Sequence, residues 1–411
     1  MREFLSYRLG ALVERDFRLL FSATVVTALG DQVAGIALVF AVLHVSSATD
    51  LGLVLAARQG TNAAVLLFGG VLSDRLPRNR ILVGASLLQG GAQAALAVAV
   101  LSGHASLTAF LILGVVYGAG DGLVVPAEVG LIPQTVSPDR LQQANALQGL
   151  SRSSVRVLGP AIGGVLVVAA SPGWALALDS VSFFGCAWLL AKIRIPARAE
   201  ASAGRFFHEL REGWHEFSSR TWLWSTVAIF GLGNIFFMFW SVLGPLVAKE
   251  RLGGAEAWAV ILTAGGVGSV VGGLWALRYR PRRPMVACVL WPLFYAVQLA
   301  VLASGAPTWA VAAAAFLAGL GLSLHLMLWF SVFQRQIPER AQSRVSAYDS
   351  LGSFVLNPLG LAIAGPVAVA LGSANALWLA AGAILVLNTS MLLLPSVWTI
   401  GTEPVPATSA A

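Results

Sequence analysis

Residues 350–402 read SLGSFVLNPLGLAIAGPVAVALGSANALWLAAGAILVLNTSMLLLPSVWTIGT, 53 residues without a single Asp, Glu, Lys or Arg. A helix rising about 1.5 Å per residue needs roughly 20 residues to cross a hydrocarbon layer about 30 Å thick. The run is therefore two crossings, with a turn at Leu371-Gly372-Ser373. Two other uncharged runs have the same build. Residues 284–334 give 51 positions with a turn at Ser304-Gly305-Ala306-Pro307, and residues 81–120 give 40 with a turn at Ser102-Gly103-His104. Extending the reading outward predicts spans near 17–43, 50–72, 81–101, 106–132, 146–170, 174–193, 221–246, 256–277, 284–303, 308–334, 345–370 and 374–395. A closed β-barrel would need short alternating strands, which the pattern does not offer. The expected fold is an all-α integral membrane protein with twelve transmembrane helices in two six-helix bundles.

Composition agrees. Hydrophobic residues make up 57% of the 411 positions and charged residues 11%, against about 25% charged in an ordinary soluble domain. The formal charge of +7 does not indicate nucleic-acid binding. Its basic residues sit in short clusters between apolar runs, not in a stripe that could follow a phosphate backbone. Cys186 and Cys288 lie in apolar stretches and supply neither a disulfide framework nor a metal set. No metal or cofactor is expected. The first apolar segment is long, follows Glu14-Arg15-Asp16 and lacks a small-residue cleavage pattern, so it reads as a retained span. Enzyme signatures such as His-Glu-x-x-His, Gly-x-Ser-x-Gly and a Walker loop are missing from the sequence. A catalytic role is not expected, and neither is direct drive by ATP.

Loop charge sets the expected orientation. With the N-terminus inside, 22 of the 26 Lys and Arg residues fall on the inner side, while only Lys249 and Arg251 fall outside. The positive-inside rule then makes both termini cytoplasmic in a multi-pass cell-membrane protein, bacterial inner or plasma membrane. The polar stretch 194–220 divides the spans into six and six. This predicts an N-terminal bundle over 1–195, a cytoplasmic linker over 196–220, and a C-terminal bundle with a short tail over 221–411. Within the linker, Phe206, Phe207, Leu210, Trp214 and Phe217 recur at helical spacing among charged residues. They predict an amphipathic helix at the inner membrane face or packed against the bundle.

The halves repeat one another. Gly69-Gly70-Val71-Leu72-Ser73-Asp74-Arg75 ends the second span, and Gly272-Gly273-Leu274-Trp275-Ala276-Leu277-Arg278 ends the eighth. Gly159-Pro160-Ala161-Ile162-Gly163-Gly164 in the fifth span answers Asn357-Pro358-Leu359-Gly360 with Gly365-Pro366 in the eleventh. Proline removes a backbone donor, so both segments are expected to interrupt their helices and serve as bending points. Duplicated halves are what alternating access requires. Glycines at 114, 118, 120 and 122 and at 265, 266, 268, 272 and 273 predict close helix contacts.

These segments also carry a family resemblance. Gly70-Val71-Leu72-Ser73-Asp74-Arg75-Leu76-Pro77-Arg78-Asn79-Arg80 resembles the signature loop of major facilitator superfamily transporters, with Pro77 in place of the usual glycine and Asn79 in place of a basic residue. The Gly159-Pro160 segment resembles the fifth-helix motif of their exporters. Together with Asp139-Arg140-Leu141 and Asn145-Ala146, the pattern is most similar to the branch of bacterial siderophore and macrolide exporters. The resemblance implies a gating loop at Asp74, Arg75 and Arg78. Asp74 is expected to latch onto the N-terminal end of the eleventh helix near Arg344–Ser346, and Arg75 or Arg78 to pair with Glu128.

Four charges fall inside the spans. Asp31 and Arg58 each lie about 21 Å from the inner end of their helix, and Asp121 and Arg156 each lie about 15–16 Å. Charges at such depth are costly facing lipid. They are expected to face a cavity or to form two pairs, Asp31 with Arg58 and Asp121 with Arg156. The resemblance favours Asp31 as proton carrier. His325 is the second-half candidate, with a packing role equally open. Phe236, Phe237, Phe239 and Trp240 suit a bulky ligand or the core. The expected function is a monomeric, proton-coupled transporter expelling a hydrophobic or amphipathic small molecule, with protons and membrane lipids as its other partners. The alternatives are import of a polar metabolite, or a non-transporting receptor or scaffold.

Overall fold

The structure, a computed structural model, describes residues 10–194 and 206–400, with side chains described except at 67–75, 206–210, 212, 339, 340 and 343. Every regular element among these residues is helical. Eleven stretches of described residues are long and apolar enough to cross a membrane. The fold is all-α and multi-spanning. It divides into two compact units, residues 1–201 and 202–411.

In the first unit the helices are α1 (Arg15–Val45), α2 (Ala48–Arg75), α3 (Arg78–Leu101), α4 (Leu107–Thr135), α5 (Leu141–Ala170) and α6 (Pro172–Ala191). Their ends follow local chemistry. At the start of α2, the Asp50 N–H donates to Ser47 Oγ and the Ser47 N–H donates back to the Asp50 carboxylate, each at 3.2 Å. At the start of α4, Ser106 accepts from the Ala109 N–H, satisfying a donor that the helix leaves open. Helix α1 packs on α5 and α6, α2 on α4, and α3 on α4 and α6.

The second unit contains α7 (Phe206–Ser218), α8 (Thr221–Val247), α9 (Ala255–Ala276), α10 (Pro284–Leu290), α11 (Leu293–Ala303), α12 (Thr308–Gln336), α13 (Glu339–Phe354), α14 (Asn357–Leu371), α15 (Ser373–Ser390) and α16 (Pro395–Thr399). The same partnerships recur: α8 with α14 and α15, α9 with α12, and α11 with α12 and α15. The repeat read in the sequence is thus a repeat of packing.

The bending points differ between the copies. Helix α5 runs unbroken through Pro160, so the expected interruption at Gly159-Pro160 is corrected to a continuous helix. Its counterpart does break, because α13 ends at Phe354 and α14 starts at Asn357-Pro358, where the missing proline N–H costs nothing. The span expected at 284–303 also breaks, at Trp291-Pro292.

The amphipathic segment is the helix α7. Trp214 and Phe217 pack on Tyr348 of α13, with ring centroids 5.5 and 5.9 Å away, and the backbone at Gly213 comes against Arg344. Phe217 is thus buried against α13, while Trp214 stays half exposed.

Candidate functional site

The glycines of α4 set the site. A methyl group at Gly118 would come within 2.2 Å of the Arg58 carbonyl oxygen, and one at Gly122 within 2.6 Å of the Asn62 carbonyl oxygen. Gly114 meets Val54 one turn earlier. The spacing of four residues repeats on both helices, so α2 and α4 run in backbone contact along a seam. Close approach brings the flanking polar side chains together. Asn62 donates to the Asp121 carboxylate at 2.6 Å. One turn along the seam, the Arg58 guanidinium lies 3.5 Å from the centre of the Tyr117 ring.

Tyr117 connects the seam to α1. It is buried, its hydroxyl donates to Asp31, and its edge meets Phe183 of α6. Asp179 completes the group from α6. It is fully buried, accepts from Gln93 at 2.6 Å and lies against Gly30, the residue before Asp31. Three acids and one arginine thus fall within neighbouring turns of α1, α2, α4 and α6, with Tyr117 between Asp31 and Arg58.

Several expected pairs take other forms. Asp31 and Arg58 do come together, but through Tyr117: the acid holds its hydroxyl and the guanidinium covers its ring. The expected pair of Asp121 with Arg156 does not form. Asp121 faces α2, and Arg156 is exposed on α5. Equal depth did not mean a shared face. Val155, Gly159 and Gly163 form the buried stripe of α5, and Gly159 and Gly163 meet α1 at Gln32 and Val33. Arg156, one residue past Val155, is turned about 100° away.

Glu128 is also corrected. Its partners are Arg152 at 3.0 Å and Gln148 at 3.4 Å, both on α5, and not Arg78. Thr24 of α1 hydrogen-bonds Gln148 in turn, so this cluster ties α1, α4 and α5. Arg78 donates to the Gly130 carbonyl near the C-terminal end of α4. The side chains of Asp74 and Arg75 lie outside the described residues. Gly159 and Pro160 are both buried, packed rather than opened.

The second unit has no equivalent charged group among the described residues. His325 bonds the Cys288 carbonyl oxygen through Nδ1 at 2.8 Å and meets Phe230 edge-on. Its ring is a packing element between α8, α10 and α12. Asp349 accepts from the indole of Trp329 at 3.0 Å. Phe239 and Trp240 are core residues. No group of three or more His, Cys, Asp or Glu side chains could hold a metal among the described residues.

Tyr117 and Asp179 are the residues that sequence reasoning missed. Tyr117 stands four residues before Asp121, on the same face of α4, which was the available signal. Asp179 is the eighth residue of the 20-residue α6, and nothing in its own neighbourhood of sequence marks it as buried.

The comparisons match this architecture. The chain is 26% identical over 372 residues to the enterobactin exporter EntS of Salmonella typhimurium, covering 86% of this chain and 87% of that one. It is 27% identical over 375 residues to EntS of Escherichia coli O1:K1, covering 87% and 88%. Among solved structures, the peptide transporter POT in complex with sulfate superposes with a TM-score of 0.72 at 13% identity, over 95% of this chain and 96% of that one. The nucleoside transporter NupG gives 0.70 at 11% identity, over 91% and 99%. A model described as Major Facilitator Superfamily matches residues 20–360. Those residues hold the signature loop at 70–80, the Gly159-Pro160 segment and the α2–α4 seam, and the chain belongs to the Major Facilitator Superfamily.

Proposed function

We propose that this chain is a proton-coupled secondary transporter of a polar small molecule, with twelve crossings arranged as bundles over 1–195 and 221–411 and a cytoplasmic linker over 196–220. Helix α2 supplies the twelfth crossing, and both termini are cytoplasmic on the charge pattern of the loops. The family and its relatives make the chain a membrane transporter of small molecules, not an enzyme. In this reading Asp74, Arg75 and Arg78 form the gating loop, and Asp31 carries the proton.

The observation that carries the coupling is the imbalance of charge in the first unit. Asp31 meets Arg58 through Tyr117, Asp121 is held by Asn62 one turn along the seam from Arg58, and Asp179 lies against Gly30, so three acids gather in a region whose basic residue is Arg58. A surplus carboxylate away from water costs several kcal/mol, about 2.5–3.5 on insertion scales. Such a group takes up a proton when its surroundings close and releases it when they open. Tyr117, bonded to Asp31 and covered by Arg58, links that exchange to any movement of α2 against α1.

Of the aromatic residues of α8 that suit a bulky ligand or the core, Phe239 and Trp240 are core and Phe236 and Phe237 are half-buried. The polar groups of the first unit support a polar cargo. Import of such a metabolite also draws support from the peptide and nucleoside transporters that share the fold. Export draws on the enterobactin exporters. The sign of proton movement separates the two. Purified protein in vesicles enclosing a pH-sensitive dye is given enterobactin, a dipeptide or a nucleoside from outside. Acidification of the lumen with substrate entry indicates symport and supports import. Alkalinisation indicates antiport and supports export. Substrate entry with no proton movement contradicts the coupling.

A further inference from the structure

The loop between α9 and α10 holds Arg278, Arg280, Arg282 and Arg283 within six residues. All four are exposed. Arg283 lies 5.1 Å from the ring of Trp398, while Arg278, Arg280 and Arg282 take no ion-pair partner among the described residues. Below them is a groove of about 820 Å³, lined by Arg282 and Arg283 at one end and by Leu290, Phe294 and Val297 further along α10 and α11. No acidic side chain lines it. Tyr279 and Trp291 stand beside the arginines, where the ring faces of membrane proteins meet the headgroup layer.

The dimensions identify the occupant. From Arg283 to Val297 the chain advances about 21 Å along its helices, compared with about 15 Å for one leaflet of hydrocarbon. The groove therefore runs from the headgroup level to the middle of the bilayer, basic at its mouth and apolar below. The break at Trp291-Pro292 falls within this wall. A soluble anion would use only the mouth, and a neutral lipid would leave the arginines without a counter-charge. We propose that this groove binds an anionic phospholipid of the inner leaflet, its phosphate held by Arg282 and Arg283 at the mouth, with Arg280 adding charge from the same loop, and an acyl chain lying over Leu290, Phe294 and Val297. The inner location rests on the orientation proposed above; the lipid site does not depend on what is transported.

Native mass spectrometry of the full chain, released from mixed phosphatidylglycerol and phosphatidylcholine at equal mole fraction, tests the site. The wild type should retain phosphatidylglycerol about tenfold over phosphatidylcholine. The variant Arg280→Gln with Arg282→Gln and Arg283→Gln should lose that preference. Neutralising Arg194, Arg211 and Arg335 instead should keep it, which separates a site from general attraction to a basic face. Leu290→Trp, which fills the apolar part and leaves the arginines in place, should reduce retention several-fold and covers the case in which the triple variant folds poorly. Equal retention of the two lipids by the wild type would overturn the proposal, as would equal loss in both arginine variants. Displacement of the lipid by inorganic phosphate alone would also overturn it, by reducing the site to its mouth.

Discussion

Tyr117 shows how much one buried side chain decides. Among the described residues, its hydroxyl is the hydrogen-bond partner of Asp31 and its ring is the face that Arg58 rests on. Tyr117→Phe keeps the ring and removes the donor. It should leave the fold intact, since one hydrogen bond to a charged group contributes about 1.5–3 kcal/mol, while weakening proton-linked transport at least tenfold. Thermal unfolding and vesicle uptake measured on the same preparation check both halves. Arg58→Ala should be harsher, because it strands the acids around it. The double variant Asp31→Asn with Arg58→Gln should restore membrane expression relative to Arg58→Ala, which detergent-extracted yield reads directly. Equal yields would contradict the shared environment of the two residues. The depths of Asp31 and Arg58 were legible in the sequence. The tyrosine between them was not, because depth along a helix says nothing about which side of it a residue faces.

At the scale of elements, glycine spacing was the most readable signal. Gly114, Gly118 and Gly122 mark the α4 face that meets α2, and Gly268 and Gly272 mark the α9 face that meets the carbonyls of Phe316 and Leu320 on α12. The same device serves each unit. Gly118→Leu should push α2 from α4, separating Asn62 from Asp121, and should cost several kcal/mol of the order seen for overpacked cores, about 1–3 or more. Gly91→Leu, at a position with nothing nearby, should have little effect. Comparing their melting temperatures is the check. The turn after α5 also carries a readable contrast. Ser171 adopts φ +83° and ψ 158°, where the second unit has Gly372 at φ +83° and ψ 147°. That backbone region belongs almost wholly to glycine and costs other residues about 1–3 kcal/mol. Ser171→Gly should therefore raise stability by about 1 kcal/mol without touching transport. Proline was less informative, since Pro160 sits inside a continuous α5 while Pro358 begins a new helix.

For the whole molecule, hydropathy and loop charge carried the reading, because lipid forces every backbone group into helices and leaves little ambiguity about class. Pairing of deep charges was not legible at that scale. It depends on which helices are neighbours, and the seams had to be seen first. The orientation yields its own test. Reporters attached after Ala411 should read as cytoplasmic and one inserted near Glu250 as external; a cytoplasmic reading at 250 together with a cytoplasmic C-terminus would break the span order.

The central claim is that the acids around Arg58 couple protons to substrate. It is tested most directly in vesicles carrying either wild type or Asp31→Asn, with substrate uptake and lumenal pH followed together. Wild type should move protons in fixed proportion to substrate, and Asp31→Asn should still exchange substrate downhill while its proton signal falls to that of empty vesicles. A mutant that keeps the wild-type ratio of protons to substrate would contradict the account.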